Sequence, residues 1–251
     1  MNIITHWCPG NILDPNAKPN PFCLIILDQP LTHVKLFERL WDRATFKFAA
    51  DGGANRLYDA FKDTPTLLEK YVPDEIAGDM DSLRDDTKDY YESKGVPVTK
   101  VSEQMTTDLM KCVIILDDKE MSKTHPKLDI VAFPALGGRF DHTIANINIL
   151  YELKDQIERR VILVSDQNLT ILLDKGQHHI HCLKNVEGPH CGIMPIGAPA
   201  TMTTKGLKWN LENHKCFFGG MVSTCNVFDS DLIQVETDSP VVWTTEIMDL
   251  E

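Results

Sequence analysis

The chain has 251 residues, 43% of them hydrophobic and 25% charged, with a formal net charge of −12. That length supports one large domain or two modest ones with cores of their own, and no apolar run approaches the roughly 20 residues of a membrane helix. The acidic balance argues against a nucleic-acid partner, so an anionic substrate must be met by a local cation, either Arg/Lys or a metal.

The start, "MNIITHWCPGNILDPN", has no basic region followed by an apolar run, so no secretory signal is read and a cytoplasmic location is expected. Residues 9–21 hold four prolines and little apolar material, which predicts a loop or extended arm over 1–21. A rhythm then begins. Strands are predicted at 22–27, 46–50, 74–77, 96–101, 128–133 and 160–164, from short apolar or β-branched runs. Helices are predicted between them at 31–41, 54–61, 85–95, 107–118 and 141–153, with Gly95 closing the third and Thr106 or Thr107 capping the fourth. This alternation implies a Rossmann-like α/β domain with a parallel sheet, over 22–170. Beyond it, "LTILL", "HHIHCL", "CGIMPI", "ATMTT", "KCFFG", "LIQVET" and "VVWTTEI" are short β-like runs separated by Gly and Pro. They predict an all-β sandwich over 171–251. Seven cysteines, without a C-x-x-C pair, fit free thiols in a reducing compartment rather than a disulfide framework.

Each of the first five predicted strands is followed by a polar or Gly-rich cluster: "DQP", "DGGANR", "GDMDS", "SEQMTTD" and "PALGGRFDH". In open α/β sheets that edge is where ligands bind. Gly52 and Gly53 permit close backbone approach at a helix N-terminus, which favours an anion, although taken alone a plain turn is the more ordinary reading. No Walker A pattern is present. Asp79 and Asp81 lie two apart, and in an extended segment their side chains would share a face. Two such carboxylates repel unless a cation intervenes, and Mg²⁺ is the natural one. The alternative is a solvated turn opening the next helix. Asp108, with Asp51 and Asp141 on the same edge, favours the metal. Arg139, Arg56 and Lys111 are candidates to balance phosphate charge. In the second half Trp209 is either core or an exposed face for a flat or cationic heterocycle. His179 and His181 share a strand face, but with His178 pointing away no third metal ligand is apparent.

The motifs "LDQP", "AADGGANRLYD", "GDMDSL", "TTDLMKC", "GGRFDHTIANINIL", "GLKWNL", "VSTCN" and "VETDSPVVWTTEI" together resemble the eukaryotic thiamin pyrophosphokinases, in the family's order over about residues 22–248. The resemblance implies an α/β catalytic domain binding ATP and Mg²⁺, and a thiamin-binding β-sandwich. It also implies a homodimer with its active site at the subunit interface. The implied reaction converts ATP and thiamin to thiamin diphosphate and AMP. By the same resemblance, Asp79, Asp81 and Asp108 are the metal acids and join Arg139 as catalytic residues. Gln29, Asp51, Gly52, Gly53, Asn55, Gln104, Thr107, Arg139 and Asp141 surround ATP, and Trp209, Ser223 and Asn226 meet thiamin. Asp81 or Asp108 is a candidate acceptor for the hydroxyl proton. Asp28 stands where the family often has Asn, and Cys225 where Ser is usual. Another Mg²⁺-dependent nucleotide hydrolase or transferase would not need Trp209 and Ser223. A non-catalytic thiamin sensor would not need the acids.

Overall fold

The computed structural model describes residues 3–103, 106–121, 127–155 and 159–249. Along the chain lie β1 (Ile4–Trp7), β2 (Phe22–Ile26), α1 (Val34–Arg43), β3 (Phe46–Ala50), α2 (Gly53–Phe61), α3 (Pro65–Lys70) and β4 (Glu75–Gly78). Next come α4 (Asp85–Ser93), β5 (Val98–Lys100), α5 (Asp108–Glu120), β6 (Asp129–Phe133), α6 (Phe140–Glu152) and β7 (Val161–Val164). The remainder is β8 (Asn168–Leu173), β9 (Gly176–His181), β10 (Glu187–Met194), β11 (Ala200–Lys205), β12 (His214–Cys216), β13 (Ser223–Val227), β14 (Leu232–Thr237) and β15 (Val241–Ile247). Two compact units result. One comprises Asn20–Ile149 with Gln156–Asp166; the other comprises Met1–Pro19, Leu150–Asp155 and Gln167–Glu251.

In the first unit six strands run parallel in the order β7-β6-β2-β3-β4-β5. All five residues of β2 are buried, as a strand covered on both faces requires. Helix α1 supplies cover through Leu36, Phe37, Leu40 and Trp41, an i, i+1, i+4, i+5 stripe, and His33 caps it by accepting the Leu36 N–H. After β2 the chain lays β3, β4 and β5 on one side, then returns to place β6 and β7 on the other. The reversal between β2 and β6 makes their C-terminal ends the crevice of such a sheet. Helix α3 was not anticipated from the sequence. It is six residues long and buries only Leu68, so it carries no periodic stripe.

Apart from the last residues of α6, the strands of the second unit are those of a β domain, giving α/β plus β-sandwich. One sheet runs β1-β9-β14-β11-β12, and β13, β10, β15 and β8 pair in that order. Its buried tryptophan is Trp243, fully enclosed and stacked on Phe228. Two of its strands were not anticipated: β1, in the segment read as an arm, and β13, in the motif read for its chemistry. "ITHW" is too short to show a period-2 pattern. It becomes a strand because β9 offers an edge, pairing in parallel from Ile4↔Gln177 to Trp7↔Ile180. Trp7 Nε1–H donates to His178 Nδ1 at 3.1 Å, and the His178 Nε2–H donates to the Asp174 carbonyl at 2.7 Å. Burial pulls the His178 pKa down, consistent with this neutral tautomer.

Glu187 is buried beside the N-terminal segment. Its Oε2 accepts the Leu183 N–H at 3.0 Å, and its Oε1 has no partner. Burial pushes its carboxyl up to about 7 from 4.5, against the opposing bonds from Leu183 and Gly10. Between those values the unfolded chain is ionised and the folded one is not. Stability therefore falls as pH rises from 4.5 to about 7, by at most about 3 kcal/mol, and stays reduced above. Glu187→Gln is expected to be the more stable protein at pH 8, by about 1–2 kcal/mol once the buried amide N–H cost is counted. The gap should close between pH 7 and 4.5 and reverse near pH 4.5, where the folded carboxyl is neutral and only the amide cost remains, as denaturant melts across that range will read.

Candidate active site

The acids converge because of how three strands end. Asp51 follows β3 in the left-handed region, φ +43°, which an aspartate tolerates, and its N–H bonds the Ala77 carbonyl at 2.9 Å. Gly78 closes β4. A Cβ there would lie 2.7 Å from the Asp51 Cβ and 3.1 Å from Asp108 Oδ1, so only glycine lets these groups approach. Asp108 opens α5, with the Thr107 hydroxyl capping the helix by accepting the Met110 N–H at 3.2 Å. One carboxylate oxygen from each of Asp51, Asp79 and Asp108 lies within 4.8 Å of the others.

Asp81 stands beside this group rather than in it among the described residues. Its carboxylate accepts the Ser82 hydroxyl at 2.9 Å, and its N–H donates to Asp79 Oδ1 at 3.3 Å. The extended geometry that would put Asp79 and Asp81 on one face is broken at Met80, whose φ is +63°. Asp51 is the third acid of the close group, with the Asp81 side chain against both Asp51 and Asp79.

Lys111 explains how the cluster is held. Its side chain is 2% exposed, and its Nζ donates to Asp79 at 2.7 Å and Asp108 at 3.0 Å. It is the residue one helical turn after Asp108, so α5 positions both. Burial pulls the Lys111 pKa down, but the bonds to Asp79 and Asp108 raise it overall. The same contact holds the Asp79 carboxyl below its usual range. Asp51 receives no such cation. Burial, then the Asp108 charge, the Asp81 side chain and the Asp79 charge, push its pKa up to about 7, against one backbone bond from Ser82. Its buried Oδ1 has no partner. Hard oxygen donors with an orphaned buried lone pair are a set that suits a hard divalent cation.

At the β2/β6 reversal lies a cleft of about 220 Å³, lined among others by Gln29, Gly52, Ser82, Thr107, Asp108 and Asn146. Gln29 Nε2 donates to the Gly137 carbonyl at 3.0 Å, joining the loops after β2 and β6. Ser82, His142 and Asn146 line it without having been singled out from the sequence, although all three lie in the quoted motifs. Other expected ATP residues have structural duties. A Cβ at Gly53 would lie 2.2 Å from the Ile26 carbonyl oxygen, so that glycine is demanded by β2. Asn55 bridges to the 82–84 loop, donating to the Ser82 carbonyl at 2.8 Å and accepting the Arg84 N–H at 3.1 Å. Arg139 and Asp141 are exposed and form a two-pronged ion pair with each other, at 3.1 and 2.5 Å. Arg56 pairs with Asp28 at 2.7 Å. Gln104 lies outside the described residues.

In the second unit Trp209, Ser223 and Asn226 come together. Trp209 is 56% exposed, which excludes the core reading, and Lys208 Nζ sits 4.7 Å from its ring. Buried Asn226 clamps the Trp209 backbone: its Oδ1 accepts the Trp209 N–H at 3.2 Å and its Nδ2 donates to the Trp209 carbonyl at 2.8 Å. The same amide contacts Ser223 Oγ at 3.3 Å and accepts the Val227 N–H at 2.9 Å. With all its hydrogen bonds made inside the protein, Asn226 positions the tryptophan.

Two family profiles match the chain: "Thiamin pyrophosphokinase, catalytic domain" over residues 37–163, and "Thiamin pyrophosphokinase, vitamin B1 binding domain" over 177–242. Thiamine pyrophosphokinase 3 of Oryza sativa is 42% identical over 237 residues, covering 90% of this chain and 87% of that one. Thiamine pyrophosphokinase 1 of Arabidopsis thaliana is 41% identical, covering 93% and 89%. The crystal structure of yeast thiamin pyrophosphokinase superposes with a TM-score of 0.87 at 27% identity, covering 99% of this chain and 92% of that chain. With both profiles in sequence order and near-complete coverage of its relatives, this chain belongs to the thiamin pyrophosphokinase family.

Proposed function

We propose that the chain transfers a pyrophosphoryl group from ATP to the hydroxyl of thiamin, giving thiamin diphosphate and AMP. The observation that carries this is the match of a catalytic and a vitamin-B1-binding profile, each on the unit that holds the corresponding residues. Incubation with ATP, Mg²⁺ and thiamin, followed by mass spectrometry, tests it. Thiamin diphosphate and AMP are expected; ADP as the nucleotide product would overturn the reading.

Asp51, Asp79 and Asp108 would hold Mg²⁺, with Asp81 beside them. When bound, the ion supplies charge neutralisation for the polyphosphate. Such transfers rest mainly on positioning and electrostatics. The α5 N-terminus adds its dipole toward phosphate at the cleft. Arg139, exposed and already in a two-pronged arrangement with Asp141, has the geometry to exchange that carboxylate for a phosphate oxygen pair. Gln29, Gly52 and Thr107 line the crevice for the nucleotide. Free thiols throughout the chain accord with a cytoplasmic enzyme.

Trp209 would receive the cationic ring system of thiamin on its exposed face, with Ser223 beside it. Trp209→Ala should raise the thiamin KM about tenfold, matching a cation–π contribution of about 1–2 kcal/mol, and leave the ATP KM within about twofold. Its exposure means the melting temperature should not move. Equal losses for both substrates would count against a thiamin role.

The functional unit is a homodimer in which the thiamin face of one subunit serves the acids of the other, as the family resemblance implies. At thiamin well below the raised KM, co-expression of Asp79→Asn with Trp209→Ala chains should then give more activity than Trp209→Ala alone, because one site of each heterodimer carries neither lesion. Heterodimers no more active than Trp209→Ala alone would leave each site within one chain.

A further inference from the structure

The histidines of β9 are used by neither half of this reading. His178 faces inward, bonded to Trp7 and the Asp174 carbonyl. His179 and His181 lie on the other face, and β1 brings them a third ring. His6 is the direct partner of His179 in the parallel ladder and is exposed, while His179 and His181 are half-buried. His6 Nδ1 lies 3.1 Å from His181 Nε2, the two rings stacked at 20° with centroids 5.4 Å apart. The His179 ring stands edge-on to His6 at 5.1 Å. The sequence offered no third ligand because His6 is 175 residues from His181, and only the β1–β9 pairing joins them.

A separation of 3.1 Å suits one N–H···N hydrogen bond. It also suits two imidazole nitrogens on a single ion: with bonds of about 2.0–2.1 Å, ligands about 100° apart are roughly 3.1 Å from one another. Imidazole donors select transition ions of the Zn²⁺, Ni²⁺ or Cu²⁺ type over Mg²⁺, so this chemistry is distinct from that of the acids. We propose that His6, His179 and His181 form a surface site for a divalent transition ion, His6 and His181 supplying the close pair and His179 joining by rotation of its side chain. The ion clips β1 to the sheet. β1 has four residues and pairs with β9 alone, at one edge of the sheet, so an added tie acts on a short, one-sided strand.

The test uses the untagged full chain, stripped with EDTA and held in excess Mg²⁺ to fill the acids. Calorimetric titration with Ni²⁺ and with Zn²⁺ is expected to show one equivalent bound. His6→Ala, His179→Ala and His181→Ala should each weaken that binding at least about tenfold, since losing a ligand costs no less than losing its outer support. Asp79→Asn should leave it unchanged. Amide exchange of residues 4–7 should slow when the ion is added to the unsubstituted chain. Should an alanine variant melt early without metal, the Gln variant at that position keeps a polar side chain and replaces it. Absence of saturable binding overturns the site, as does binding that any one of the three histidine variants retains at full strength, or that only Asp79→Asn removes.

Discussion

Asp51→Asn is expected to raise the melting temperature in EDTA at pH 8 while lowering kcat/KM at least about a hundredfold. The gain follows from three carboxylate oxygens within 4.8 Å and one Lys111 ammonium, which bonds only Asp79 and Asp108. Asp51 is left with burial and like charges, which push its pKa from 3.8 to about 7. Asparagine keeps an oxygen for the Ser82 N–H, presents an amide donor to the remaining carboxylates, and accepts the φ of +43° as readily as aspartate. A gain of about 1–3 kcal/mol, discounted for solvent reaching the cleft, corresponds to a few degrees in a chain of this size. Above about pH 7 the folded carboxyl carries its charge and the full penalty; below the unfolded value of 3.8 neither state does. The advantage should therefore shrink between pH 8 and pH 5. The loss of turnover follows from removing an oxygen and a charge from the cation set. A variant that melts earlier than the unsubstituted protein in EDTA would show that Asp51 stabilises the fold, and normal turnover would remove it from the site.

Lys111→Met should act in the opposite sense. Methionine keeps most of the aliphatic packing but removes the ammonium that bonds both Asp79 and Asp108. Breaking a fully buried pair costs about 3–5 kcal/mol. Here the Lys111 side chain is buried but the two carboxylates are partly solvated, so about 2–4 kcal/mol is expected, or a fall of roughly 5–15 °C. Mg²⁺ should then raise the variant's melting temperature more than that of the unsubstituted chain, because the ion replaces the missing positive charge. An equal Mg²⁺ shift in the two proteins would mean that Lys111 and the cation do not act on the same carboxylates. Thermal melts with and without Mg²⁺ decide it.

Local pattern was sufficient for most of the fold. The apolar runs at 22–27, 46–50 and 128–133 announce strands that are largely buried, and the stripe Leu36, Phe37, Leu40, Trp41 announces α1 because it lies on one side of a helix. The alternation of the two types leads to a parallel sheet, and the polar clusters after each strand follow the sheet's own polarity to its C-terminal edge. Strands β1 and β13 were hidden for the reverse reason. Each is a short run whose strand state depends on an edge supplied by residues far along the chain.

By itself the sequence determined that aspartates gather at the strand ends, since Asp51, Asp79 and Asp108 each follow or open an element whose position is a local property. Which three converge was decided only in three dimensions: Met80 turns left-handed, Gly78 lets Asp51 and Asp108 approach, and Asp81 is set beside the group. The role of Lys111 was equally invisible, because a lysine on a helix is ordinarily a solvated cation and becomes a buried counter-ion only when α5 packs on β4. The same holds for Trp209, which is exposed while Trp243 is buried, and for Asn226, whose clamp spans 17 residues. Periodicity reports burial along one element. Convergence of charges, and the choice between two tryptophans for one core, depend on distances between elements, which the chain fixes only when they pack.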